Sequence, residues 1–296
     1  MAVTTSAHDA RAVAIAAGDF TIHVRSVAGI ESCCYVEEKT VDVAFDMGCC
    51  FGKAWTKGHV FITHGHVDHI NAFPTHAARR HLERMKPARY YVPHHLVEHA
   101  KRIMDAFSAM QEDEIKIEVV AMQAHMEVAI SPHWVVKAVP TCHRVPSLGY
   151  VLYRKKSVLR REFVGKPTAE IRQLRQDGVD VMETLMTPEI AYTGDTTIDV
   201  FKAEDNDLTR AQVLITEATY VSDWKTSDHA HERGHIHLNQ IVEHSHLFKD
   251  VKALVLMHFS AKYSPREVRK HADEVLNESL RSKVHLAVQS MQMTDA

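Results

Sequence analysis

Phe61-Ile62-Thr63-His64-Gly65-His66-Val67-Asp68-His69 is the stretch on which the reading of this chain turns. A short apolar run feeds directly into three histidines and an aspartate. In extended backbone, residues two apart point to the same side, so His64 and His66 can grip one metal ion. Asp68 and His69 lie past the turn, where the chain bends into a helix, and can serve a second ion. Imidazole together with carboxylate suits Zn²⁺ or a similar borderline divalent cation. H-x-H alone arises by accident in a histidine-rich chain. H-x-H-x-D-H directly behind a buried strand is far more specific.

The composition around that stretch is ordinary but for one count: 23 histidines among 296 residues. With 45% hydrophobic residues, the chain is long enough to bury a substantial core. The 11 glycines and 9 prolines exclude collagen-like and low-complexity classes. Thirty-five basic against 38 acidic side chains exclude a chain-wide nucleic-acid footprint, though not a local one. Cys33, Cys34, Cys49, Cys50 and Cys142 include no C-x-x-C, which removes zinc ribbons and thioredoxin-type motifs. No apolar run approaches the ~20 residues of a membrane span. The amino terminus lacks a basic segment followed by an apolar one, although residues 1–17 leave a weak organellar presequence open. The expectation is a soluble intracellular enzyme, cytoplasmic first, with nucleus or organelle open.

Working outward, short strands are expected at Thr21–Ala28, Ser32–Val36, Val41–Phe45 and Val60–Thr63. Helical stretches follow at His69–Met85 and His94–Met110, around a strand at Tyr90–Val92. Strands resume at Ile115–Ala121, Trp134–Val139 and Leu148–Tyr153. Residues 154–189 read as a charged, mobile excursion. The last third alternates strands (Ile190–Thr193, Val213–Thr216, Ala253–Met257, Val284–Val288) with helices at Leu238–His246 and Ser264–Leu280. Such intermixing favours a layered α/β arrangement in one domain over residues 1–296.

The histidine segment resembles the hallmark of the metallo-β-lactamase superfamily. That resemblance implies an αββα sandwich of two mixed β-sheets flanked by helices, with a dinuclear metal site at one edge. Further single residues of the superfamily pattern each stand at a strand end, in the expected order: Asp46, His143, Asp195 and His258. The flanking residues resemble tRNase Z (ribonuclease Z), specifically its short plant-like form. They are His143-x-x-Pro-Ser-x-Gly-Tyr, Glu217-Ala-Thr-Tyr220, Gly234-His235-Ile-His237 and His258-Phe-Ser-Ala-Lys-Tyr. The resemblance covers about residues 20–290.

Carried over residue by residue, it implies two divalent ions, zinc first and manganese as an alternative. His64, His66 and His143 would hold one; Asp68, His69 and His258 the other; Asp195 would bridge them. Asp46 would orient a ligand from behind. Asp68, Glu217 and His235 would be the catalytic residues, the last two forming the pair that protonates the leaving oxygen. The activity implied is removal of the 3′ trailer from precursor tRNA by two-metal hydroxide attack, leaving a 3′-hydroxyl. The family also implies a homodimer.

Two departures bear on this. Thr216 stands where the family's His-Glu-Ala-Thr motif begins with histidine. His235-Ile-His237 replaces a His-Ser-Thr loop, so the proton donor lies between His235 and His237, with His231 in reserve; His235 follows the glycine, as in the family pattern.

RNA contact is expected in residues 151–175, which hold eight basic side chains against two acidic ones. Arg154, Lys155, Lys156, Arg160 and Arg161 lead that stretch. It falls where the family carries a tRNA-gripping arm, here shortened, over 154–189, with its tip reduced to Gly165-Lys-Pro167. A second basic cluster, Arg79-Arg80 with Arg84, Lys86 and Arg89, reads equally as solvated surface. His95-Leu-Val-Glu98-His99 matches an inverzincin signature but lacks a distal third ligand. The competing activity is that of a small-molecule phosphodiesterase or other hydrolase on the same fold. A non-enzymatic RNA-binding relative is disfavoured by seven intact ligand positions.

Overall fold

The computed structural model describes residues 12–203 and 207–288. Among them the chain forms two seven-stranded sheets. The first takes its strands in chain order: β1 (Val13–Ala17), β2 (Phe20–Val27), β3 (Glu31–Glu37), β4 (Val43–Phe45), β5 (His59–Phe61), β6 (Arg89–Pro93) and β7 (Glu118–Met122). The second runs from its edge strand β8 (Glu127–Ser131) through β9 (Trp134–Pro140), β10 (Leu148–Leu159), β11 (Met182–Tyr192), β12 (Val213–Glu217), β13 (Ala253–Met257) and β14 (Val284–Leu286). Both sheets begin antiparallel. They turn parallel at β4–β7 and β11–β14.

Burial explains the layering. In β2, Phe20, Ile22 and Val24 are buried while their alternating neighbours are half-buried, as a strand with one covered face requires. β13 is buried at all five positions, because a parallel central strand is covered on both faces. Phe45, Phe61, Tyr150 and Tyr192 meet between the sheets, with Phe45 stacked on Tyr192 at 5.0 Å. The outer face of the first sheet packs on α2 (Phe73–Leu82) and α3 (Val97–Gln111), which follow the single turn α1 (Val67–Ile70). The outer face of the second packs on α6 (Leu238–Glu243) and α7 (Pro265–Val275). The result is the expected αββα sandwich.

The 154–189 expectation is corrected in form. β10 and β11 pair from Tyr150↔Tyr192 to Leu159↔Met182 with one register shift between Leu152 and Tyr153, outrunning their neighbours, so the excursion is a two-stranded ribbon capped by α4 (Thr168–Gln176). Charge hid it: a ribbon beyond its sheet has no face to bury and shows no apolar alternation. The helix expected over Ser264–Leu280 is interrupted. Leu276 is extended, and the Asn277 side chain caps a separate α8 (Glu278–Arg281). β1, β8 and α5 (Ser227–Glu232) were not anticipated. Most of the 1–17 segment lies outside the described residues.

The loops after β4, β9, β11 and β13 carry Asp46, His143, Asp195 and His258, the segment from β5 into α1 carries His64 to His69, and Glu217 ends β12; all come together at one end of the sandwich. Loops after parallel strands are where α/β proteins place ligands. At Gly48 the chain passes so close to α1 that a Cβ would sit 1.6 Å from the Asp68 carbonyl oxygen. Only glycine fits there.

Candidate metal centre

Three groups of ligand atoms form among the described residues, and one of them, Asp195 with His235 and His258, overlaps the other two. His64, His66, His143 and Asp195 bring ligand atoms within 4.8 Å of one another, and so do Asp68, His69 and His258. His64 Nε2 lies 3.0 Å from His66 Nδ1, which is 3.3 Å from His143 Nε2. His69 Nε2 is 3.3 Å from His258 Nε2 and from Asp195 Oδ1. Asp195 Oδ2 faces the other group, 3.8 Å from His64 and 3.9 Å from His143. This aspartate therefore turns one oxygen to each cluster.

The outward ring nitrogens are held by the protein. His64 Nδ1 meets the Thr63 hydroxyl at 2.9 Å, and His143 Nδ1 meets the Gly234 carbonyl at 2.8 Å. His69 Nδ1 donates to Asp46 Oδ2 at 2.7 Å. Fixing one nitrogen as N–H leaves the other as a lone pair aimed inward, the state a metal requires. Asp46, fully buried with φ +54°, also accepts from the Thr63 amide and hydroxyl and from the Tyr192 hydroxyl. His258 likewise sits at φ +60°. Backbone strain at two non-glycine site residues is typical of functional centres.

Burial and neighbouring imidazoles hold the pKa values of His64 and His66 low, and burial lowers that of His143. His69 goes the other way: burial opposes, but Asp195 and Asp46 raise it. Burial opposes ionisation of Asp195, and the His258 and His69 charges overcome it, leaving its pKa well below the usual range. Asp195 Oδ1 is buried with no hydrogen-bond partner. An ionised, orphaned carboxylate oxygen amid inward-facing imidazoles is a donor set that fits divalent cations.

Beside this cluster stands a second arrangement. Glu217 is 1% exposed and accepts from five donors. Its Oε1 takes the Thr196 amide and His235 Nδ1, both at 2.8 Å. Its Oε2 takes the Ile236 amide at 3.1 Å, the Thr219 amide at 3.3 Å, and the Thr219 hydroxyl. Burial opposes protonation of His235, but the Glu217 carboxylate raises its pKa to about 9. Its ring stacks 5.7 Å from His258 and lies edge-on to His143 at 5.2 Å.

The structure separates the three donor candidates. His237 is the N-cap of α6: its Nδ1 accepts from Asn239 and its Nε2 meets the Ser222 carbonyl. His231 is about half exposed and paired with Asp199. Only His235 adjoins the cluster. Thr216 accepts from the Thr193 hydroxyl inside the sheet, so the residue replacing the family histidine has a structural partner.

Among the arm residues, Arg154 stands at the ribbon's base, stacked 4.6 Å over Trp134 and paired with Glu189. Arg160 pairs with Asp180. Lys155, Lys156 and Arg161 form no ion pair among the described residues. His95 and His99 join no ligand group among the described residues. Sequence reasoning missed Thr63, Thr219 and Tyr192, which position site residues. Thr219 alone was legible, as the last member of Glu-Ala-Thr.

The chain is similar to several known proteins. The beta-lactamase superfamily domain matches residues 57–259. The chain is 36% identical to tRNase Z TRZ1 of Arabidopsis thaliana, over 84% of this chain and 88% of that one. It is 33% identical to the chloroplastic tRNase Z TRZ2 of the same plant, over 85% of this chain and 70% of that one. Among solved structures, the metallo-β-lactamase-fold protein YhfI of Bacillus subtilis aligns with TM-score 0.59 at 15% identity, covering 92% and 98% of the two chains. The short form of human tRNase Z aligns at 0.52 and 20% identity, covering 95% and 96%. These two show the shared fold. The chain belongs to the tRNase Z family of the metallo-β-lactamase superfamily.

Proposed function

We infer that this chain is a metal-dependent endoribonuclease that removes 3′ trailers from precursor tRNA. The observation that carries the reading is the Glu217–His235 pair set against a seven-residue ligand cluster, in a chain that belongs to this family. A hydrolase acting on a good leaving group has no need of a buried carboxylate holding an imidazole beside its metal ligands.

His64, His66 and His143 would hold one divalent ion and Asp68, His69 and His258 another, with Asp195 between them; zinc is the preferred metal and manganese the alternative. Two such ions, when bound, polarise a phosphodiester and neutralise charge on its oxygens. His235 keeps its Nδ1–H on Glu217 and presents Nε2–H to the departing ribose 3′-oxygen, a contribution of roughly 10²–10⁴-fold. Cations beside Asp195 would oppose the upward shift of His235, bringing the acid closer to neutral pH. Asp46 fixes the His69 ring, Thr63 fixes Asp46 and His64, and Thr219 couples Glu217 to His258. The ribbon of 154–189 is our candidate for a shortened tRNA-gripping arm, supported by its basic side chains and its projection beyond the sheet.

A homodimer is proposed on family grounds, supported by exposed apolar side chains on α2 and α3, chiefly Leu82, Phe107 and Met110. A cytoplasmic site of action, with nucleus or organelle as alternatives, is proposed; five unpaired cysteines fit a reducing compartment. No helix among the described residues is long and apolar enough to cross a membrane.

The test is incubation of purified protein with a precursor tRNA and with bis(p-nitrophenyl) phosphate, in Zn²⁺ or Mn²⁺, beside His66→Ala. A discrete cut after the discriminator base, lost in the variant, is expected. Hydrolysis of the simple diester without that cut would overturn the tRNA assignment.

A further inference from the structure

A cleft of about 370 Å³ has His235 in its wall. Arg144, Lys225, Arg233 and Lys262 line it, together with Tyr220 and Trp224, and none of its lining residues is a carboxylate. None of the four cations has an ion-pair partner among the described residues. Elsewhere the chain pairs its cations readily, as in Arg154–Glu189, Arg160–Asp180 and Lys202–Asp199. Four unneutralised charges around one cleft repel one another, and an anion relieves that repulsion.

Trp224 makes the cleft more than a charged patch. Its indole is 51% exposed, a large apolar surface to leave in water. Lys262 Nζ lies 4.4 Å and Lys225 Nζ 5.0 Å from the ring centroid, so the aromatic face gathers both ammonium groups. Tyr263 braces the ring edge-on at 6.3 Å. An aromatic platform among cations is the combination that binds single-stranded nucleic acid without reading base edges.

Direction follows from the chemistry of the proposed reaction, on which this inference rests. His235 protonates the 3′-oxygen that leaves, so the nucleoside bearing that oxygen lies on the His235 side of the scissile phosphate. We propose that this cleft is the subsite for the last nucleotide of the mature RNA, its base against Trp224 and its 5′-phosphate on Lys262, Arg144 and Arg233. The strand thus enters over the cleft, crosses His235, and reaches the ligand cluster with its trailer beyond.

The test compares the wild type with Trp224→Ala, Trp224→Phe and Lys262→Ala, on precursor tRNA and on bis(p-nitrophenyl) phosphate. Loss of a stacked base raises the precursor KM of Trp224→Ala roughly 5- to 100-fold. Trp224→Phe recovers part of that, and the loss on precursor exceeds that on the simple diester, which has no nucleoside to place. Lys262→Ala flattens the salt dependence of the precursor KM by about one in log–log slope. If the wild type cuts precursor and the Trp224 variants keep its KM, or lose equally on both substrates, the subsite is refuted while the endonuclease reading stands. If the wild type leaves precursor uncut, the endonuclease reading fails and this proposal with it.

Discussion

Replacing Glu217 by glutamine changes one oxygen to an amide in a place where all five neighbours donate. Two orientations are open. With the amide nitrogen at Oε2, the Thr219 and Ile236 amides both lose their acceptor. With it at Oε1, only the Thr196 amide is stranded, because His235 can shift its proton to Nε2 and accept at Nδ1. The second orientation is cheaper, and one buried unsatisfied donor costs about 1–3 kcal/mol. Thermal unfolding should therefore drop by only a few degrees, a loss the fold survives. Catalysis should fare worse. A neutral imidazole donating from Nε2 is a far weaker acid than an imidazolium held by a carboxylate, so the general-acid factor of roughly 10²–10⁴ is forfeited. The paired assay uses precursor tRNA, whose ribose oxygen needs a proton to leave, and bis(p-nitrophenyl) phosphate, whose phenolate leaves without one. The expected result is a drop of roughly 10²-fold or more in kcat on RNA and a far smaller drop on the aryl diester. Equal losses on both substrates would refute the acid assignment, as would RNA cleavage at the wild-type rate.

Further outcomes are expected elsewhere. Asp46→Asn replaces the carboxylate that accepts from His69 Nδ1 and should weaken metal binding about 10- to 100-fold, read by competition with a chromogenic chelator. Gly234→Ala places a Cβ 2.9 Å from His143 Nδ1 at a φ of +76°, so His143 must move; activity should fall about 100-fold while unfolding changes modestly. Chelation should abolish cleavage and lower the melting temperature, with both restored by Zn²⁺, because a ligand that binds only the folded state stabilises it; a melting temperature indifferent to chelator would contradict the ligand assignment. His76 is buried with Nδ1 2.6 Å from the Tyr90 hydroxyl, and burial reinforced by Arg80 pushes its pKa down to about 4. The unfolded chain takes up that proton first, so the stability is intact above about pH 6.5 and is lost as pH falls toward 4. Between pH 7 and pH 5 the loss is about 2 kcal/mol, and urea midpoints of His76→Gln should show a smaller drop over the same interval.

The positions of the candidate ligand cluster were legible because metal chemistry limits them to few residue types, and each follows a strand whose apolar pattern marks its end. His64, His66, Asp68 and His69 carry their spacing in one continuous segment. Asp46, His143, Asp195 and His258 needed the family pattern as well. The strands themselves were legible where one or both faces are buried, as in β2 and β13. They were not where burial gives no signal, as in the arm ribbon, and β1 and β8 at the sheet edges were also missed.

Three matters were decided only in three dimensions. Sequence separates His235 from His237 only by its place after the glycine, whereas in the fold a turn directs His235 to Glu217 and makes His237 a helix cap. Arg154 and Arg160 look like RNA contacts by charge, yet the fold hands them Glu189 and Asp180. Arg144, Lys225, Arg233 and Lys262 lie scattered through the sequence, and only the folded chain gathers them around Trp224. Ligand identity is a property of residue type and local spacing, which a sequence carries directly. Whether a charge is neutralised, and which way a ring nitrogen points, depends on groups distant along the chain that only folding makes neighbours.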